Sequence, residues 1–369
     1  MAQNTIKAAR LHAAGESLQI EEVPRPTVVR AHDVVVRVEA CGVIPNMNHV
    51  VGGLPTLTLP PLPAVVGLDA AGVITEVGQE VKRFQKGDRV YINPVLSCGT
   101  CRYCRQGLDQ ICVDMTFRGY FGFTPGSERL QREYPWGGYS QYTLAPARSL
   151  VLLSPRVTFE QAARFGYLGT SYAGLKNANL RPGGSVLVLG ATGTLGVAAV
   201  LFALAMGASR VLGVARNRET LRRLEHLAPE RVQTHVLGEE PLCDWILHCT
   251  DGDGPNVIID CTTRQTSSAT LAEAISTLQR RGVAITVGGL NDKLALTPNH
   301  FTRTEWRFGG SCWFSTADAA EMVELAQNGV VNLSVFDTKT YTLDQINAAL
   351  DAVTGSPGGF TNVVVQPNS

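Results

Sequence analysis

No apolar run in this sequence reaches the ~18–20 residues that a membrane-spanning helix requires, so a membrane partner is not expected. Charge of one sign is also missing. Lys+Arg and Asp+Glu number 32 each, and no global field draws the chain to nucleic acid or to an anionic surface. The opening residues Met1-Ala2-Gln3-Asn4-Thr5 lack the basic-then-apolar layout of a secretory leader, and no internal repeat or low-complexity tract appears. What is present is the composition of a compact soluble chain, 44% hydrophobic and 17% charged, with 369 residues available for two domains. Nine cysteines form an odd set, and four of them fall between positions 98 and 112. That pattern suits metal binding in a reducing compartment better than disulfides, so a cytoplasmic location is expected.

The first third of the chain carries short β-type runs, Val34–Val38, Ala70–Val77, Arg89–Ile92 and Tyr139–Leu144, separated by turn clusters such as Gly52-Gly53 and Gly87-Asp88. They predict an irregular, mostly β domain, with Arg118–Gly138 as a long loop. Near Leu153 the rhythm changes. Apolar strands at Ser185–Gly190, Val211–Ala215, Val257–Cys261 and Gly282–Gly288 alternate with helical patterns, which predicts an α/β unit with a parallel sheet covered on both faces. An amphipathic segment, Ala317–Gln327, and a last strand, Thr361–Val365, follow.

Gly190-Ala191-Thr192-Gly193-Thr194-Leu195-Gly196 sits between the strand Ser185–Leu189 and the apolar helix Val197–Met206. In that context glycines bring backbone N–H groups up to a pyrophosphate at the positive end of a helix; otherwise they make only a tight turn. The second strand ends Val214-Ala215-Arg216-Asn217-Arg218. Ala215 occupies the place of the acid that would hold a ribose 2′-hydroxyl, and two arginines follow, a combination favouring the 2′-phosphate of NADP(H). With both arginines merely solvated, NAD(H) would serve as well.

Cys98, Cys101, Cys104 and Cys112 follow the spacing C-x2-C-x2-C-x7-C. Tight Cys-x2-Cys turns aim thiolates at one centre, and four thiolates complete a closed tetrahedral shell, so one structural zinc per chain is expected. An iron–sulfur cluster also takes four cysteines. Here all four lie in one lobe, remote in sequence from the glycine turn.

Taken together, Val66–Gly78, Phe84–Val90, the cysteine lobe, Gly137–Tyr142, the glycine turn and Phe308–Ser311 resemble the medium-chain dehydrogenase/reductase superfamily, in its alcohol dehydrogenase branch. The resemblance implies a GroES-like, mostly β catalytic domain over 1–153, completed by 312–369, and a Rossmann doubly wound parallel-sheet domain over 154–311. It implies cofactor contacts from Thr170, Gly190, Gly193, Thr194, Leu195, Gly196, Arg216, Arg218, Thr262, Val287 and Gly288. It also implies a homodimer or homotetramer, paired through the edge strand in Arg307–Phe314. Members with a catalytic zinc hold it through a Cys, a His and usually a second Cys, where this sequence has Ile44, Leu68 and Gly166. Catalytic zinc needs three protein ligands, so a site without that metal is expected.

Something else must then serve the substrate oxygen. His49 stands where zinc-dependent members keep a proton-relay histidine, and Asn46 replaces their hydroxyl residue. An imidazole with a pKa near ~6.5 suits proton exchange, and an amide N–H can bond an oxyanion; alternatively His49 only meets cofactor ribose or solvent. Tyr120, Tyr167 and Trp313 are further candidates for the pocket wall. The reading is an oxidoreductase carrying hydride between a nicotinamide and a carbonyl or alcohol. Its alternatives are a zinc-independent enone or quinone reductase, whose substrates need less polarisation, and a non-catalytic cofactor-binding protein.

Overall fold

The computed structural model describes residues 4–53, 58–264, 266–354 and 358–369. Its two large sheets differ in kind, as the change of rhythm near Leu153 predicts. Six parallel strands form one sheet, in the order Val232–Val236, Arg210–Ala215, Ser185–Leu189, Val257–Asp260, Val283–Thr286 and Arg307–Gly310. In chain order this is 3-2-1-4-5-6, the doubly wound Rossmann arrangement. Val186–Leu189 on the central strand are at most 1% exposed, because helices cover both faces. Val232–Val236 has no counterpart among the expected strands. It is an edge strand reading Val-Gln-Thr-His-Val, with too little continuous apolar sequence to stand out.

The second sheet is built mainly from the first third of the chain. Leu150–Leu152, Arg89–Ile92, Ala70–Val77 and Asp33–Val43 are antiparallel neighbours, and Tyr142–Pro146 also pairs with Asp33–Val43. The C-terminal strand Thr361–Gln366 joins this sheet with Val363 opposite Val43, and Asp337–Thr342 pairs parallel to it at the edge. The long central strand explains why the expected run Val34–Val38 was too short: polar Arg37 and Glu39 interrupt the apolar pattern but pair with each other at 2.7 Å, and the strand continues.

Arg118–Gly138 is not all loop. Ser127–Glu133 forms a helix held by the pairs Arg132–Glu128 and Arg129–Glu133, each one turn apart, with Leu130 buried beneath. Glycine and proline on either side conceal this short helix. Among the described residues, no helix is long and apolar enough to cross a membrane.

Candidate active site and metal centre

The glycine turn lies at the carboxyl end of the central parallel strand, where ligands of open α/β sheets bind. Gly190 turns with φ +73°, and the helix Thr194–Ala205 starts immediately afterwards. A Cβ on Gly196 would lie 2.2 Å from the Gly190 carbonyl oxygen and 2.6 Å from the Ala191 Cα. Both obstacles are backbone, so only glycine allows the turn to close this tightly. Gly193 at the N-cap offers no side chain, and no capping bond occupies the first N–H groups, including those of Thr194, Leu195 and Gly196. They form a ready anion site.

The other expected cofactor residues surround the same end of the sheet. Asp260, fully buried at the end of its strand, accepts from the backbone N–H and hydroxyl of Thr262 and from the Thr286 hydroxyl. The N–H groups of Val287 and Gly288 both donate to the Asp260 carbonyl. Thr170 lies on the helix Phe165–Asn177, where its hydroxyl donates back to the Gly166 carbonyl at 2.7 Å. The next residue, Ser171, ties this helix to Leu195. The two arginines differ. Arg216 is exposed and makes no ion pair among the described residues, whereas Arg218 is paired with Glu239.

In the other lobe, the four sulfurs of Cys98, Cys101, Cys104 and Cys112 lie within 4.8 Å of one another. Tetrahedral zinc with bonds of ~2.3 Å spaces its sulfurs by about 3.8 Å, so the set fits with little movement. Backbone N–H groups already point at the sulfurs, from Cys98 and Asp114 to Cys112 and from Cys101 to Cys98. N–H groups of Cys104 and then Val113 pull the Cys101 thiol down to about 6, which favours the thiolate that a metal binds. Four coordinating side chains leave no open position, so an ion held here would brace the lobe rather than meet substrate.

Asn46 and His49 bracket the first turn of the short helix Met47–Val51, three residues apart and both exposed. Ile44 and Leu68 are buried in the catalytic-lobe core. Among the pocket candidates, Tyr120 is buried, while Tyr167 and Trp313 are half-buried. Trp313 packs against both large cores and stands 4.7 Å from Phe117, ring to ring.

The sequence reading missed Asp69. Its side chain is 1% exposed, and Oδ1 accepts from the Tyr91 hydroxyl at 2.7 Å. Oδ2 fills the space beside Gly166: a Cβ built there would meet it at 2.2 Å. Burial raises this carboxyl to about 7, opposed by the Tyr91 hydroxyl, by a weakly placed Gly166 N–H and by the charge of buried Arg118. An acid following Gly67-Leu68 was the available signal, but an isolated aspartate ordinarily reads as a solvated residue.

Residues 30–155 match the alcohol dehydrogenase GroES-like domain, and residues 194–328 match the zinc-binding dehydrogenase family. The chain belongs to the alcohol dehydrogenase-like branch of the medium-chain dehydrogenase/reductase superfamily. Its similarity to an NAD-dependent alcohol dehydrogenase of Sulfolobus acidocaldarius is 31% identity over 352 residues, covering 94% of this chain and 95% of the relative. Among solved structures, AibC superposes with a TM-score of 0.86 at 26% identity, covering 100% of this chain and 97% of that one. The alcohol dehydrogenase of Aeropyrum pernix superposes with a TM-score of 0.78 at 28% identity, covering 98% and 100%. This medium-chain dehydrogenase is therefore an NAD(P)-dependent, alcohol dehydrogenase-like oxidoreductase.

Proposed function

We propose that this enzyme uses NADP(H) to interconvert a carbonyl compound and an alcohol, without a catalytic zinc and with one structural zinc per chain. Gly166 carries the reading: the space a ligand side chain would need there is filled by the Asp69 carboxyl and closed by the Trp313 ring, 2.8 Å from the same Cβ position. The bound nicotinamide supplies the hydride. Asn46 offers its amide N–H to the developing oxyanion, and exposed His49 exchanges the proton with solvent. In this reading residues 1–153 with 312–369 form the catalytic lobe and 154–311 the cofactor lobe, with these groups on the first and the glycine turn on the second. Nine free thiols suit a reducing, cytoplasmic setting.

A second reading, reduction of an enone or quinone, is favoured by the aromatic group Phe117, Tyr120, Phe121, Phe123 and Trp313, whose rings pack in mutual contact and would suit a flat conjugated substrate. Following NADPH absorbance against ketones, enones and quinones tests both, alongside elemental analysis. Two zincs per chain would sink the zinc-free mechanism, and no oxidation of NADPH by any of the three classes would sink both readings.

The cofactor preference rests on Ala215 and on the unpaired guanidinium of Arg216. The Sulfolobus relative is NAD-dependent by name, so the 2′-phosphate pocket belongs to this chain's own residues. Arg216→Ala is expected to weaken NADPH binding by roughly 10–100-fold, the worth of a hydrogen bond to a charged group, while sparing NADH. Arg218→Ala should do less, because Glu239 already engages that side chain. Fluorescence titration with both cofactors measures this, and an unchanged NADPH/NADH ratio in Arg216→Ala refutes the assignment.

A homodimer or homotetramer is also expected. Arg307–Gly310 is the outer strand of the parallel sheet, and Phe308 on it is 41% exposed. Such an edge invites uncontrolled pairing unless a two-fold partner covers it. Sedimentation of a monomer at micromolar concentration would contradict this.

A further inference from the structure

We propose that Asp69 works as a neutral carboxylic acid whose Oδ2–H donates a hydrogen bond to the substrate oxygen, polarising the carbonyl where a metal would otherwise do so. The proposal rests on the zinc-free reading above and supplies the electrophile that it lacks.

Hydrogen-bond satisfaction is the first support. Oδ1 has the Tyr91 hydroxyl, but Oδ2 is buried without a full partner. A carboxylate oxygen left with only the weakly placed Gly166 N–H recovers little of its desolvation cost. A protonated Oδ2 is instead a donor awaiting an acceptor, and a carbonyl oxygen is only an acceptor. Position is the second support. Gly166 opens the helix that packs on the nucleotide-binding helix through Ser171 and Leu195. Trp313, which packs against the cores of both lobes, closes over the same spot. Oδ2 therefore lies buried where the Gly166 helix and the Trp313 ring meet the catalytic-lobe core, and a substrate oxygen reaches it by displacing the Trp313 ring.

Burial holds the proton on Asp69 up to about neutrality, against the Tyr91 hydroxyl, the Gly166 N–H and the charge of Arg118. Burial leads in raising Cys41, Tyr91, Tyr120, Tyr139 and Tyr167, so these groups stay neutral. Arg118, lowered by burial to about 10, remains charged. Asp69 is the member of this cluster that changes state between about pH 5 and 8, and a buried neutral acid is an effective oxyanion donor. The acid keeps its proton through the step, and the proton that ends on the alcohol enters by His49.

Asp69→Ala and Asp69→Asn, each made in the full-length enzyme, test this. The amide of Asp69→Asn keeps a donor facing Gly166 and an acceptor for Tyr91, yet cannot ionise. The parent's turnover in carbonyl reduction should fall as pH rises through about 7. Asp69→Ala should lower turnover by roughly 10²–10³-fold, as loss of one oxyanion donor does. Asp69→Asn should recover at least about tenfold of that loss and flatten the fall above neutrality.

Stability gives a readout independent of activity. The folded state holds this proton more tightly than the unfolded chain, whose carboxyl titrates near 3.8, so the parent's melting midpoint should decline as pH rises from about 4 to about 7. Asp69→Asn should remove that decline, together with a carboxylic C=O infrared band that the parent shows at pH 6 or below. An equal loss of turnover in both variants while the parent turns over, or a decline that persists in Asp69→Asn, overturns the proposal. Failure of the zinc-free reading itself would show separately, as a second zinc in the parent.

Discussion

Replacing His49 by Ala is expected to lower turnover at saturating NADPH by about 10²–10⁴-fold, the usual worth of a positioned general acid. The residue is exposed on the short helix Met47–Val51, one turn from Asn46, so its imidazole can meet substrate on one side and bulk water on the other. Its exposed ring can pass a proton directly to and from water. NADPH affinity should change far less, because the glycine turn and Arg216 sit on the other lobe. Asn46→Ala should also slow the reaction, since the proposed mechanism gives its amide a separate hydrogen bond to the same oxygen. A chelator applied to the folded enzyme should leave the initial rate intact. Turnover of His49→Ala within about threefold of the parent, well short of a general-acid effect, would remove His49 from the mechanism.

The other large effect lies at the four cysteines. Changing Cys101 and Cys104 to Ser together should abolish zinc binding and destabilise the lobe. Structural zinc contributes up to ~10–16 kcal/mol in isolated finger peptides. Retaining even ~3 kcal/mol of that dependence here would move the melting midpoint by roughly 6–12 °C. The disturbance should reach beyond the lobe, because Cys98, Cys101 and Cys104 pack against the catalytic core and Arg148 reaches the Ser97 carbonyl at 2.8 Å. Calorimetry with elemental analysis decides it. A double variant that binds no zinc yet melts with the parent would show that the lobe stands unaided.

The ease of reading each part from sequence followed how local its cause is. Ala70–Val77 and Arg89–Ile92 form strands over the residues expected, because turn glycines and β-branched runs mark both ends. The tight glycine turn and the gathering of the four sulfurs were legible for the same reason: short fixed spacings set both geometries. The helix Ser127–Glu133 and the strand Val232–Val236 were hidden, since the first depends on ion pairs and one buried leucine, and the second on its neighbour's ladder. Asp69 was the costliest omission. Its character comes from Tyr91, Arg118 and Gly166, which lie 22, 49 and 97 positions away in the chain, and no spacing rule joins them.

Gly166 also bears on the direction in which this lineage can change. A side chain restored there must displace both Oδ2 of Asp69, at 2.2 Å, and the Trp313 ring, at 2.8 Å. A lone new thiolate would gain no metal in return, because Ile44 and Leu68 supply no second or third ligand. A single substitution toward a metal ligand at Gly166 would thus carry a packing penalty with no metal gained in return. A metal site at this place would need replacements at Ile44, Leu68 and Gly166 together, along with relocation of the Asp69 carboxyl and the Trp313 ring.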